Sequence, residues 1–313
     1  MQVLIVVVRY KTPLEDSQTM ASLSRAFARD PELLGRFGVL VWDNSPIKLK
    51  DPRASFPFEY RYSDQNLGVS GAYNRAMESA ESIGCPWLLL LDQDTTIPEG
   101  FLEAMLAHSH ELQGEPRIAT IVPFVRSHGT LISPRQFGRF LRSHQIPRSE
   151  SGVFKKDAYA VNSGTLMRVS ALREVGGYSE DFWLDLSDAY IFQALYRMDR
   201  WMYIAGDLEL PHSLAAQDFN KDMGTERYRN FLAAENTYIQ LYRSRAINWL
   251  QTFWLAARAL RQYRRYENKD FARITFACFI QRLTSSKSSR LKRWLNELQQ
   301  REIPAISNGR VVG

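Results

Sequence analysis

Trp87-Leu88-Leu89-Leu90-Leu91-Asp92-Gln93-Asp94-Thr95-Thr96 is the stretch on which the reading of this chain turns. Five apolar residues without a polar interruption fit a strand buried on both faces, as in a parallel sheet covered by helices. Two carboxylates follow at once, separated by Gln93. In an extended chain, positions i and i+2 point the same way, so Asp92 and Asp94 can face one ligand. Open α/β sheets bind ligands at the carboxyl ends of their strands, where these acids fall. Neighbouring anions repel unless a cation or a shared proton relieves them. A divalent ion with a phosphorylated ligand meets both conditions. The plainer alternative is a polar turn in which Asp94-Thr95-Thr96 caps a helix starting near Pro98-Glu99. An EF-hand loop is excluded: Ile97 stands where that loop needs glycine, and a strand enters where a helix should.

Outward from this stretch, strands and helices alternate. Gln2–Val8 is a Val-rich strand, Gly38–Trp42 a second and Phe58–Tyr62 a short third, with helical apolar spacing over 14–29 and again after Gly71. Phe101–Leu112 reads as a helix and Ile118–Val122 as a strand, whereas Ser127–Lys156 is polar and fits a loop over the site. A helix near Ser170–Val175 ends at Gly176-Gly177, a glycine stop. The helix 189–198, the strand 201–204 and an exit segment ending in Pro211-His212 follow, and from about Glu226 to Gln300 the pattern is helical. This order predicts an α/β fold with a mostly parallel, doubly wound sheet flanked by helices. The expected division is a domain over 1–215 and a basic, amphipathic helical region over 216–313.

The 313 residues suffice for a large core, and 45% hydrophobic with 24% charged residues is ordinary for a globular protein. Met1-Gln2 runs straight into Val3–Val8, too short and too uncharged for a secretion signal. No run of about 18 apolar residues is present to span a bilayer. Cys85 and Cys278 lack metal or redox spacing, which suits a reducing cytoplasm. The net charge of +6 is uneven: residues 226–313 hold 17 basic and 6 acidic side chains, a net +11, so the remainder is negative. Such asymmetry points the C-terminal part toward an anionic surface.

Asn66-Leu67-Gly68 to Gly71-Ala72-Tyr73-Asn74 is neither a Walker loop nor a GxGxxG turn, yet it precedes a helix one unit before the acidic strand. Asp43 could accept from a base N–H or a ribose hydroxyl, or close an Asx-turn on Ser45. His212 is an imidazole that could be structural or could ligate a metal.

Together these residues resemble the GT-A glycosyltransferases of family 2, and within it the bacterial rhamnosyltransferase branch. The resemblance runs from about Val3 to Leu214. Val6-Val7-Val8-Arg9-Tyr10-Lys11 is similar to the family's first strand, with Arg9 for Thr and Lys11 for Asn. Asp43-Asn44-Ser45 corresponds to the ending that recognises the nucleobase, and Asn66 to Asn74 to its Asn-x-Gly…Asn loop. Asp92-Gln93-Asp94 is its DxD motif, in the form typical of rhamnosyl enzymes. Asn162-Ser163-Gly164-Thr165, Gly176-Gly177-Tyr178 and Phe182-Trp183-Leu184-Asp185-Leu186-Ser187-Asp188 resemble later blocks in the same order, and His212 falls where the family often has a metal-binding His.

The resemblance implies an inverting, metal-dependent transferase moving one sugar, L-rhamnose from dTDP-L-rhamnose, onto a glycan or lipid-linked acceptor in bacterial surface polysaccharide synthesis. Arg9, Tyr10, Asp43, Asn66, Gly71, Asn74, Asp92, Gln93 and Asp94 would hold the nucleotide sugar. Asn162, Ser163, Gly164 and Trp183 would lie on the acceptor or donor-sugar side. Asp94 and His212 would hold Mg2+ or Mn2+, hard-ligand ions. The base must stand across the anomeric carbon from the diphosphate, so Asp188 is expected, with Asp185 in reserve. Two features depart from the family. Tyr190 replaces an acidic residue common in relatives, and the processive Gln-x-x-Arg-Trp motif is missing, with only Gln262-Tyr263-Arg264-Arg265-Tyr266 near it. A single addition is therefore expected.

Two other classes compete. Asp92, Asp94 and Thr96 after four leucines also match the first motif of haloacid-dehalogenase-type phosphatases, with Asp92 as nucleophile. That motif normally stands on a leading strand, whereas three strand units precede it here. Aromatic residues interleaved with arginines could bind nucleic acid, but no nucleic-acid motif is present and that partner is not expected. Ile247–Leu260 joined to Arg261, Arg264 and Arg265 could lie on anionic lipid, or pack on the catalytic part with a solvated basic face. A cytoplasmic enzyme is expected, and the first of these would make it peripheral on the inner face of the plasma membrane.

Overall fold

The computed structural model describes residues 1–138, 143–211 and 223–301. Twelve strands are described: β1 Val3–Arg9, β2 Phe37–Asp43, β3 Glu59–Tyr62, β4 Trp87–Asp92, β5 Ile118–Ser127, β6 Thr130–Ser133, β7 Arg135–Phe137, β8 Ser143–Gln145, β9 Gly152–Phe154, β10 Ala158–Tyr159, β11 Leu166–Arg168 and β12 Trp201–Pro211. The α-helices are α1 Gln18–Arg29, α2 Gly68–Ser82, α3 Phe101–Glu111, α4 Val169–Glu174, α5 Ser187–Arg197, α6 Thr225–Tyr242, α7 Arg245–Arg265, α8 Asp270–Thr284 and α9 Lys287–Arg301.

The main sheet runs β3-β2-β1-β4-β11-β5-β12-β9, with β6 paired to β5. β3, β2, β1 and β4 are mutually parallel, and β12 is parallel to β5. The uninterrupted apolar runs explain why. Along β1, Leu4, Val6 and Val8 join one buried cluster with Ala72, Tyr73, Ala76 and Met77 of α2. Val3, Ile5 and Val7 join another with Met20, Leu23 and Phe27 of α1 and Phe101, Leu102 and Met105 of α3. Successive strand residues face opposite sides, so a strand covered on both faces must be apolar at every position. The expected mostly parallel sheet flanked by helices is the one observed, with three short reversals: β11 lies antiparallel between β4 and β5, β6 antiparallel to β5 and β9 antiparallel to β12.

Register sets the site. Val8 pairs with Asp92 and Arg9 with Asp43, so the polar strand endings line up along one edge.

Two sequence expectations are corrected. Residues 127–156 are not simply a loop: they supply β6 to β9, of which β7 and β8 join β10 in a small antiparallel sheet. Strands of three or four residues are too short to show a period. Asp94-Thr95-Thr96 does not cap α3, whose N-cap is Gly100 without a side-chain bond. Thr95 is buried instead, its N–H donating to the Thr19 hydroxyl and its own hydroxyl 2.5 Å from that of Ser163.

The C-terminal helices share core with the sheet part: Phe182 and Ala189 cluster with Ala234, Tyr238, Ile239 and Trp294. The Trp294 indole N–H donates to the Asp181 carbonyl at 3.1 Å. The 215/216 division and His212 lie outside the described residues. Among the described residues no helix is long and apolar enough to cross a membrane.

Candidate active site

A cavity of about 720 Å³ opens beyond the carboxyl ends of β1 and β4. Asp92, Gln93, Asp94 and Tyr10 line one end, the turn from Leu184 to Ala189 the floor, and Phe137 and Tyr159 of the small sheet one side. α6 with Arg227, Phe231 and Glu235, its C-cap Arg243, and α7 with Gln251 close it.

Each acid sits in a different environment. Asp94 is exposed at the end of the sheet edge and lines the cavity. Asp92 is half-buried; its N–H donates to the Ser163 hydroxyl at 3.1 Å, and the Tyr73 hydroxyl reaches its carboxylate at 3.4 Å. The Tyr73 phenol is pushed well above its ordinary range by burial and by Asp92, so it stays a donor. The Gln93 side chain grips the backbone of Tyr10 twice, accepting from its N–H at 2.8 Å and donating to its carbonyl at 3.3 Å. The middle residue of the motif therefore ties the end of β4 to the end of β1.

Asp188 opens α5 on the cavity floor. Burial pushes its carboxyl up to about 6, against the pull of the Ala189 N–H, with Asp185 and Asp92 adding to the rise. Its carboxylate accepts that N–H at 2.7 Å. Asp185 is ion-paired at 2.8 Å with Arg227. The structure thus brings Asp92, Asp94, Asp185 and Asp188 to one cavity.

Other residues singled out from the sequence stand behind the wall. Arg9 and Asp43, expected to touch the nucleotide, are committed to each other at 2.5 Å, and Asp43 is fully buried. Burial alone would raise the Asp43 carboxyl, but bonds from Ser45, Tyr60 and Arg9 outweigh it and hold the group below its ordinary value. The Ser45 N–H to Asp43 bond at 2.9 Å is the Asx-turn. Asn66 accepts from the Gly68 N–H at 3.0 Å, and Asn74 clamps Tyr178 through both backbone groups at 2.9 and 2.8 Å. A Cβ on Gly71 would stand 2.5 Å from that of Leu67. None of Arg9, Asp43, Asn66, Gly71 and Asn74 lines the cavity.

The later blocks hold these pieces together. The Trp183 carbonyl accepts from the Ser70 N–H at 3.1 Å, seating its turn on the start of α2. Asn162, which lines the cavity, is fixed between the hydroxyls of Tyr178 at 2.9 Å and Ser187 at 3.1 Å. Gly164, at φ +83°, donates to the Leu90 carbonyl and wraps the Asn162–Thr165 turn around β4.

Sequence reasoning missed Tyr73, Tyr159, Arg227 and Arg243. Tyr73 lay inside a block already noted. Arg227 and Arg243 sit in a helical region rich in arginine, where no local signal separates a cavity residue from a solvated one.

The family model of glycosyl transferase family 2 matches residues 38–176. No curated protein matches the chain with significance. Among solved structures, S. aureus TarS 1–349 is similar at 15% identity, over 96% of this chain and 88% of that one, with a TM-score of 0.48. GalNAc-T7 with UDP, GalNAc and Mn2+ is similar at 9% identity, over 96% of this chain and 58% of that one, with a TM-score of 0.55. The latter likeness is one of fold. The matched residues take in Asp92-Gln93-Asp94, which favours the transferase reading of that motif over the phosphatase one. Residues 38–176 are thus similar to glycosyl transferase family 2, on a fold shared with GalNAc-T7.

Proposed function

We propose that this protein is a glycosyltransferase that moves a single sugar, L-rhamnose from dTDP-L-rhamnose, onto a glycan or lipid-linked acceptor with inversion. The observation that carries the reading is the convergence of an exposed carboxylate, Asp94, and a carboxylate of raised pKa, Asp188, on one cavity at the strand ends.

In this reading Asp188 takes the proton from the acceptor hydroxyl. A carboxyl with a pKa of about 6 is ionised at neutral pH yet more basic than an ordinary aspartate, which suits it to that task. The hydroxyl oxygen bonds to the anomeric carbon as the bond to the diphosphate oxygen breaks on the opposite face, so configuration inverts. Asp92, steadied by Ser163 and Tyr73, holds the ribose, and Gln93 keeps Tyr10 in place beside the nucleotide. Arg9 and Asp43 support the nucleotide end from behind the wall. Asn162, Ser163, Gly164 and Trp183 shape the sugar side, and Asp185 is the reserve base.

A divalent ion fits the residues present. Asp94 offers hard oxygens to the cavity, and a donor's phosphate oxygens could complete the shell of an ion held there. Asp94, and His212 by its sequence position, would hold Mg2+ or Mn2+. An ion held there would supply positive charge to offset that growing on the departing diphosphate. That a protein of this fold holds UDP, GalNAc and Mn2+ together supports the pairing of nucleotide sugar with cation.

The rhamnose assignment rests on the resemblance of Asp92-Gln93-Asp94, the cytoplasmic location on the isolated Cys85 and Cys278, and the peripheral membrane contact on the chain's charge asymmetry. The deciding experiment screens nucleotide sugars for hydrolysis and thermal stabilisation. Preference for dTDP-L-rhamnose supports the reading, and preference for a UDP- or GDP-sugar overturns the donor assignment.

A further inference from the structure

Two C-terminal helices bury polar side chains while exposing large apolar ones. α7 buries Gln251, Thr252 and Gln262 beside Leu255 and Ala259. Its solvent side carries Trp249, Phe253, Leu260 and Tyr263, exposed by 65%, 64%, 53% and 60%. Steps of four, seven and three residues keep these four on one stripe of an α-helix. α8 shares the feature in part: Thr275 and Arg282 are buried with Phe271 and Ala272, while Phe276, Ile280 and Leu283 are exposed.

The buried polar groups are satisfied, so the inversion is built rather than accidental. Gln262 donates to the Tyr228 hydroxyl at 2.8 Å and accepts from Thr275 at 2.7 Å. Arg282 donates to Thr252 at 3.0 Å and to the Asn248 carbonyl at 2.6 Å. Outward-facing tryptophan, phenylalanine and leucine in a contiguous stripe are unusual on a monomer surface and mark a contact with something apolar.

Charge selects the occupant. Exposed Arg261, Arg264 and Arg265 adjoin Leu260 and Tyr263, within a region carrying 17 basic and 6 acidic residues. A second copy would bring like charge against like. A bilayer surface with anionic headgroups offers apolar depth for the rings and phosphates for the guanidinium groups together. Tryptophan and tyrosine favour that interface because one part of each ring system is apolar and another donates a hydrogen bond.

We infer that the exposed stripe of α7, flanked by that of α8, seats this protein on an anionic lipid bilayer without crossing it. The inference deepens the peripheral-membrane element of the reading above. It rests on the helix faces and not on the transferase site, so its failure would leave that site's chemistry standing.

The test uses the full chain with vesicles of phosphatidylcholine alone and of phosphatidylcholine mixed with phosphatidylglycerol. Flotation should recover at least about tenfold more protein with the anionic vesicles. A Trp249→Ser, Phe253→Ser, Leu260→Ser variant should lose that binding, and so should an Arg261→Gln, Arg264→Gln, Arg265→Gln variant. Donor hydrolysis should stay at the wild-type rate in both. Should the first variant fail to fold, the fluorescence of wild type against Trp249→Phe reports directly whether Trp249 enters lipid. Absent or equal binding to the two vesicle types overturns the inference. So does a light-scattering dimer that the serine variant dissociates, because the stripe is then an interface between copies.

Discussion

Arg227, at the start of α6, places a guanidinium nitrogen 2.8 Å from an Asp185 carboxylate oxygen on the floor of the cavity. Its other terminal nitrogen is buried without a hydrogen-bond partner among the described residues. Asp185 in turn adds to the raised pKa of Asp188. A cation from the helical region therefore balances the acid beside the proposed base.

The first prediction concerns this pair. Arg227→Met removes a countercharge from Asp185, whose field then weighs more heavily on Asp188. Other groups facing Asp188 are Asp92 and the phenols of Tyr73, Tyr159, Tyr178 and Tyr238, none of them a cation. The acidic limb of the pH–rate profile should move up by about half a unit or more. Arg227→Lys should restore much of the wild-type position. A profile that does not move in Arg227→Met means that Asp185 is neutralised by other means.

Asp188→Asn tests the base itself. Transfer should fall by roughly 10²–10⁴ while donor binding by calorimetry is unchanged. In the wild type, activity should rise with pH through about 6. Stability runs the other way. A carboxyl raised in the fold binds its proton more tightly folded than unfolded, so the fold loses stability as pH climbs from about 4 past 6. Above that window the asparagine variant should be the more stable by on the order of 1–3 kcal/mol, since it keeps the acceptor for the Ala189 N–H. Near wild-type transfer by a folded Asp188→Asn would remove Asp188 from the mechanism and turn attention to Asp185→Asn.

Asp94→Ala separates metal binding from folding. Asp94 is exposed, so its loss should change stability by no more than about 0.5 kcal/mol. Turnover should nevertheless fall by at least about tenfold, and Mn2+ with nucleoside diphosphate should no longer raise the melting temperature. Full activity in this variant, or undiminished wild-type turnover in excess chelator, would contradict a metal held by Asp94.

Gly68 and Gly84 make a matched pair for stability. Both have φ of +65°, but a Cβ on Gly84 meets nothing within 4 Å whereas one on Gly68 falls on the Trp183 carbonyl. Gly84→Ala should cost about 1 kcal/mol, the left-handed penalty alone. Gly68→Ala should cost at least about 2 kcal/mol and disturb the turn that carries Asp185 and Asp188. Equal denaturant midpoints for the two variants would mean that Trp183 yields without cost.

The sheet was legible because burial leaves a local record. Val3–Val8 and Trp87–Leu91 must be apolar at every position when helices cover both faces, and those runs can be read without knowing their neighbours. The strand endings were legible for the same reason: a polar residue after a doubly buried run has to be at an edge, which located Asp43, Asp92 and Asp94. The small sheet was not, because β7, β8 and β10 are two or three residues long and are specified by partners distant in the chain.

By itself, the amino-acid order determined which segments are buried, where helices stop, and which acids stand at the carboxyl ends of strands. Each of these follows from the periodicity of neighbouring residues. Tertiary structure alone decided how the polar groups are shared. It turned Arg9 and Asp43 toward each other, spent Gln93 on Tyr10, brought Arg227 to Asp185 and put the glutamines of α7 inside while its tryptophan faces out. A side chain's burial is constrained by its own hydrophobicity, but its hydrogen-bond partner is selected by geometry between segments far apart in the chain, and no local pattern carries that choice.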